Sequence, residues 1–242
     1  MNKKNIFKTQ YMEPPKKVNV LEFLIYFIIA IIILRLIIFN IFYISAQVIG
    51  DSMNPTLNSG ENNDLVVVSR FATFEHGDIV VIDGNKLAKD TGSSSKDLIK
   101  RIVGMSGDEI SWKLIDSEWQ IFINGEQLIP DYAVNPLRKA DVNNSTGKYK
   151  PIDLDGEHYD CSPFNYILKA QKEHFIDRDG DGKLDTLVVP NNYVYVLGDN
   201  RSNSCDSKSF GVIKSDCVQG KVVKVYTGGI SQVEFFFKTL FL

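Results

Sequence analysis

Leu98-Ile99-Lys100-Arg101-Ile102-Val103-Gly104 is a short aliphatic run that carries two adjacent cations and stops at a glycine. Its length and β-branched residues fit a buried strand, since a helix in a folded domain generally needs ten residues or more. A lysine inside such a strand is unusual, because Lys is almost never fully buried without a reason. Burial would depress the pKa of Lys100 towards neutrality, and a neutral amine can accept a proton.

Similar runs lie on both sides. Residues 64–68 and 78–82 are buried-strand patterns, the second closed by Asp83-Gly84. Residues 119–123 lead into Asn124-Gly125, a hairpin signal. Residues 192–197 reach Gly198, and 221–226 precede Gly228-Gly229. Short strands separated by turn signals predict a mainly β body, a barrel or sandwich. Two stretches break the rhythm. Residues 86–97, with Thr91-Gly92-Ser93-Ser94-Ser95, read as a polar loop. Residues 130–185 read as an inserted, irregular subdomain with a short helix over 166–175.

Ahead of the β body, Lys3, Lys4, Lys8, Lys16 and Lys17 precede an apolar run over 23–44 that holds only Arg35 and Asn40 as strongly polar residues. About 20 apolar residues span a hydrocarbon core. A cleavable leader would be shorter, with small residues at its cleavage site, and Ile44 does not fit beside Ala46. The reading is a retained single-pass anchor in the cell membrane. The basic flank puts the N-terminus in the cytoplasm and the bulk of the chain outside. With Arg35 reaching the outer interface, the segments are a cytoplasmic N-terminus at 1–17, an anchor at 18–38 and an extended lead from 39. The first part of the β domain then covers 39–129, the insertion 130–185, the second part 186–228 and an apolar tail 229–242. The tail is too short to span a bilayer, and both a core cover and an interfacial contact suit it.

Lys and Arg total 27 against 30 Asp and Glu, a net charge of -3 that gives no electrostatic basis for binding nucleic acid. Three cysteines do not make a disulfide scaffold. A Cys205–Cys217 bridge and free thiols are both compatible with the sequence.

Three stretches carry chemistry. They are Gly50-Asp51-Ser52-Met53-Asn54-Pro55-Thr56-Leu57, then Lys100-Arg101 through Gly104 to Gly107-Asp108, then Gly198-Asp199-Asn200-Arg201-Ser202-Asn203-Ser204-Cys205-Asp206-Ser207-Lys208-Ser209-Phe210-Gly211. In this order they resemble the S-M-x-P-T, K-R-x-x-G-x-x-G-D and G-D-N-R-x-N-S-x-D-S-R-x-x-G boxes of type I signal peptidases. One box alone would be weak, but three in order behind a basic, anchored N-terminus are specific. The resemblance covers most of the chain from the anchor to Tyr226 and least of the insertion.

The resemblance implies a signal-peptidase-like β body and a serine endopeptidase with a Ser-Lys dyad. Ser52 is the nucleophile and Lys100 its general base, so none of His76, His158 and His174 is needed. Ser204 orients the amine. Met53 and Pro55 shape the turn, as does Thr56, while Asp199, Arg201 and Asp206 match a structural charge network. Lys208 stands where the family usually has Arg, which implies a weaker or rearranged bridge. Some members add an oxyanion hydroxyl at the position of Gly50, so here the hole rests on the Ser52 amide and a further donor. The expected partners are the signal peptides of exported preproteins and the lipid bilayer, with a monomer as the default and no cofactor or catalytic metal. A self-cleaving cytosolic regulator with the same dyad would lack the anchor, and non-enzymatic relatives lose the Ser or the Lys.

One stretch lies outside this scheme. Residues 177–185 resemble a calcium loop, with oxygens at the first, third and fifth positions and Gly180 and Gly182 among them. The twelfth position is Val188, where a calcium loop has a bidentate Glu. A Ca2+ site and a polar hairpin tip are the two readings.

Overall fold

A computed structural model describes residues 19–58, 63–91, 95–138, 171–228 and Glu234. In chain order its elements are α1 (Val20–Phe42), β1 (Tyr43–Gln47), a 3-10 turn (Asp51–Met53), β2 (Leu65–Ser69) and β3 (Ile79–Ile82). Next come α2 (Gly84–Thr91), β4 (Leu98–Met105), β5 (Glu109–Ile115), β6 (Glu118–Ile123) and β7 (Glu126–Gln127). After β8 (Leu137–Arg138), β9 (Phe175–Ile176) and β10 (Thr186–Val188), the chain forms β11 (Tyr193–Leu197), α3 (Ser207–Phe210), β12 (Ile213–Lys214) and β13 (Val218–Tyr226).

The Asn19 side chain starts α1 by accepting from Leu21 N at 3.2 Å. At about 1.5 Å per residue its 23 residues exceed a hydrocarbon thickness of roughly 30 Å. It is apolar all round and buries no residue. The helix runs to Phe42, so the extended stretch begins at Tyr43 rather than at 39. The cause is local: no Gly or Pro interrupts the run, and Asn40 Nδ2 donates to Leu36 O at 2.8 Å.

The second unit, from Phe42 onward, is β. Among the described residues it has a seven-stranded antiparallel sheet, ordered β1-β2-β13-β3-β4-β11-β12, and a second sheet ordered β7-β6-β5-β10-β9, with β8 also on β6. The two sheets share a core in which Trp112, Ile110, Leu187, Tyr195 and Leu197 meet. On the first sheet Val80, Ile102, Val196 and Phe210 form a second cluster, and Met53, Leu57 and Val66 form a third under the first motif. Fully burying each such side chain contributes about 1.5–3 kcal/mol. At Gly104 a Cβ would run into Ile110 Cδ1, so a larger residue there would push the Ile110 side chain aside in the core between the sheets.

Asp83-Gly84 closes no turn. Asp83 Oδ1 instead accepts from Asn85 N at 2.9 Å and Lys86 N at 3.1 Å and caps α2, which replaces the first half of the predicted polar loop. β5 was not predicted, because its charged outward residues mask the alternation of Ile110 and Trp112. Of the expected insertion, 139–170 lies outside the described residues. Lys172–His174 forms one 3-10 turn and Phe175 enters β9, so the described end of the 166–175 stretch is not α-helical. The tail beyond Gly228 also lies outside them, apart from Glu234.

Candidate active site

β4 brings Lys100 to the site because neighbouring strands clamp it on both edges. Lys100 lies opposite Val80 of β3, and Arg101 lies opposite Leu197 of β11. Successive side chains point to opposite faces, so Lys100 and Arg101 serve two different arrangements. Lys100 is only 3% exposed, and its Nζ lies 2.7 Å from Ser52 Oγ and 2.9 Å from Ile99 O. Burial lowers its pKa below 10.5, and the Lys208 charge pushes the same way against Asp206.

Ser52 sits in the Asp51–Met53 turn. Gly50 enters that turn at φ 92°, a left-handed angle that favours glycine. Met53 is 1% exposed and anchors the turn in the core, and the Asn54–Pro55 peptide is cis. The third motif grips the turn from behind: Asn200 N donates to Ser52 O at 3.0 Å, and Asn200 Nδ2 to Asp51 O at 3.1 Å.

The other face of β4 ties all three motifs together. Arg101 forks onto Asp199, with Nε to Oδ1 at 2.9 Å and Nη2 to Oδ2 at 2.6 Å. Thr56 Oγ1 donates to the same Oδ2 at 2.6 Å. Arg101 Nη1 reaches Gly77 O at 2.7 Å, and Tyr132 covers the guanidinium at 3.9 Å. Asp199 is fully buried, so this charge is both paired and hydrogen-bonded.

A second buried pair braces the end of the third motif. Lys208 Nζ lies 2.8 and 2.7 Å from the two Asp206 oxygens, and neither residue is exposed. The bridge expected to weaken with Lys in place of Arg therefore forms, with one amine reaching both oxygens. Burial pushes the Asp206 carboxyl upward, but Lys208 and Gly198 N outweigh it and hold the pKa below the usual carboxylate range. Asp108 ends the second motif by accepting from Met105 N at 2.7 Å and Asn124 Nδ2 at 2.9 Å, with His76 at 2.5 Å.

Ser52, Lys100, Met53, Asp199 and Asp206 thus lie around one site, Pro55 is exposed on the turn that carries Ser52, and two expected roles come out differently. Ser204 Oγ makes no hydrogen bond of full geometry and helps hold Asp206 charged, while the Lys100 amine is seated by Ile99 O. Arg201 forms no ion pair; its place in the network belongs to Arg101. Thr56 bonds Asp199 rather than only shaping an apolar turn. Arg101, Asn200 and Gly198 were not singled out as site residues. Arg101 had a signal, since a second cation inside the same buried strand demands its own acid.

A groove of about 870 Å³ opens at the dyad. Ile44, Ala46, Val68, Val81 and Leu98 line it together with Ser52 and Lys100. β1, an edge strand of the sheet, forms one of its walls.

The family model described as "Signal peptidase, peptidase S26" matches residues 20–227. The chain belongs to this signal peptidase family. Signal peptidase IB of Staphylococcus aureus (strain COL) is 28% identical over 85% of this chain and 88% of that protein. Signal peptidase I S of Bacillus subtilis (strain 168) is 30% identical over 80% of this chain and 81% of that protein. A crystal structure of a signal peptidase I from Enterococcus faecalis V583 aligns at 21% identity and a TM-score of 0.35, covering 63% of this chain and 98% of that one. The S26 match spans all three motifs, from Ser52 through Lys100 to the Gly198–Gly211 loop.

Proposed function

We propose that this signal peptidase, a serine endopeptidase that removes signal peptides from preproteins, works through Ser52 and Lys100. The observation that carries the assignment is the 2.7 Å approach of a buried amine to a serine hydroxyl. Neutral Lys100 takes the Ser52 proton as Oγ attacks the scissile carbonyl. The ammonium then protonates the leaving amine, and the acyl-enzyme remains. Lys100 next deprotonates water, which releases the acid. Ile99 O fixes the amine by accepting one of its N–H groups. Ser204 keeps a positioning role at one remove, through Asp206.

The substrate lies extended along edge strand β1, adding a strand to the sheet. Ala46, Val68 and Val81 leave shallow apolar space that admits small side chains and excludes large ones by overlap. α1 is the membrane anchor, with the N-terminus cytoplasmic, the β domain outside, and the enzyme monomeric. The segments 43–129 and 186–228 form the catalytic domain, with 130–185 inserted between them.

The test incubates full-length protein in detergent with a preprotein, beside Ser52→Ala and Lys100→Ala. Each variant loses about 100-fold or more of its cleavage rate, the share that general-base catalysis supplies. Processing by either at the wild-type rate rejects the mechanism.

A further inference from the structure

Residues 132–135 lie as a strap along the third motif. Val134 pairs with Asn200 in an isolated parallel bridge. Val134 N donates to Asp199 O at 2.9 Å, Arg201 N to Val134 O at 3.0 Å and Ser202 N to Asn135 O at 3.0 Å. Tyr132, from the same strap, covers the Arg101 guanidinium. None of these four strap residues belongs to the three motifs, and none is among the described residues that line the groove at Ser52.

Asn135 adds a side-chain contact to this backbone pairing: its Nδ2 donates to Asn200 Oδ1 at 2.9 Å. Asn200 is only 6% exposed, and its own Nδ2 donates to Asp51 O at 3.1 Å while its backbone N donates to Ser52 O at 3.0 Å. A primary amide has two orientations that exchange its oxygen and nitrogen. In one, Asn200 Nδ2 faces the Asp51 carbonyl and holds it. In the other, two acceptors face each other and the turn that carries Ser52 loses that hold. A donor at the far side of the amide fixes the choice, because it satisfies Oδ1 and would meet a second N–H if the amide turned over. Asn135 is that donor.

We propose that Asn135 is a positioning residue for the nucleophile, acting through the Asn200 amide on the turn that carries Ser52. The inference rests on the reading of Ser52 and Lys100 as the reacting pair. The Asn135 backbone has φ 51°, in the left-handed region that Asn, Asp and Gly tolerate best. Glycine at this position therefore keeps the backbone of the strap and removes only the donor. Aspartate also keeps the backbone but presents acceptors alone, which draws the Asn200 amide over so that its oxygen faces Asp51 O.

Full-length protein in detergent is assayed on a preprotein as wild type, Asn135→Gly, Asn135→Asp, Asn200→Ala, Asn135→Gly/Asn200→Ala and Ser52→Ala. Asn135→Gly keeps its melting temperature and its KM and loses about tenfold in kcat, since the strap lies outside the groove. The loss is smaller than the roughly 100-fold cost of a 1 Å displacement, because Asn200 N still holds Ser52 O. Asn135→Asp loses at least as much. In the Asn200→Ala background Asn135→Gly costs nothing further, because the amide through which it acts is gone. A folded Asn135→Gly with kcat within about twofold of wild type overturns the proposal. So does a loss that multiplies with that of Asn200→Ala, which would place the effect elsewhere. If Asn135→Gly does not fold, Asn135→Asp decides: a lowered kcat at unchanged KM supports the role, and wild-type kcat overturns it. Cleavage by Ser52→Ala at the wild-type rate would instead reject the Ser-Lys reading itself; an inert Ser52→Ala beside a fully active Asn135→Gly overturns only the role of Asn135.

Discussion

Replacing Gly198 by Ala tests whether the third motif sets the position of the nucleophile. A Cβ built on Gly198 falls 2.5 Å from Ser52 O and also collides with the Ser204 hydroxyl. Ordinary contact starts near 3.4 Å, so Ser52 O or strand β11 must move by roughly 0.9 Å. β11 is hydrogen-bonded to β4 and β12 on its two edges, so the 3-10 turn yields first. A shift of that size breaks the 2.7 Å approach of Lys100 to Ser52, and a displacement of about 1 Å costs on the order of 100-fold in rate. The loss falls on kcat, since the apolar residues lining the groove are untouched. Preprotein cleavage in detergent gives the rate, and thermal melting shows that the fold persists. In the double variant Gly198→Ala/Ser204→Gly the Ser204 collision is relieved but the one with Ser52 O remains, so the double variant stays impaired. Full activity in the double variant, or Gly198→Ala within about threefold of wild type, refutes the reasoning.

Cleavage rises with pH as Lys100 loses its proton, because only the neutral amine can act as base. Burial lowers its pKa, so kcat/KM reaches half its plateau below pH 10.5, and a profile that rises only above that pH contradicts the mechanism. Lys208→Met leaves the fully buried Asp206 unpaired and costs about 3–5 kcal/mol, read as a drop in melting temperature of about 10 °C. The double variant Asp206→Asn/Lys208→Met recovers most of that drop, and an unchanged melting temperature in Lys208→Met refutes the pairing. Millimolar calcium leaves the melting temperature unchanged, although the carboxylates of Asp177, Asp179 and Asp181 lie within 4.8 Å of one another. Asp177 already accepts from Gly180 N and Gly182 N, Asp181 accepts from Lys183 N, and the twelfth position is the valine that ends β10. A rise in melting temperature on adding calcium would sink this reading of the loop.

The sequence was most legible where apolar runs and motifs coincided. β2, β3, β4, β6 and β11 follow from aliphatic runs bounded by turn residues, and Ser52 and Lys100 follow from their motifs. Arg101 was harder to place, because strand alternation sends it to the face opposite Lys100 and its partner lies 98 residues away. The seat of the amine was not legible at all. Ile99 contributes it through its carbonyl, which every residue has, so the side-chain sequence carries no mark of it. Ser204 was drawn towards Lys100 by its motif, yet its hydroxyl packs at Gly198 and acts on Asp206.

Asp199 gathers Thr56 and Arg101 across 143 and 98 residues of chain. A polypeptide still being synthesised, with this aspartate not yet added, lacks the acid that ties the Thr56 turn to the strand of Arg101. The buried tie between the first and second motifs is therefore completed only once the chain has been made as far as Asp199.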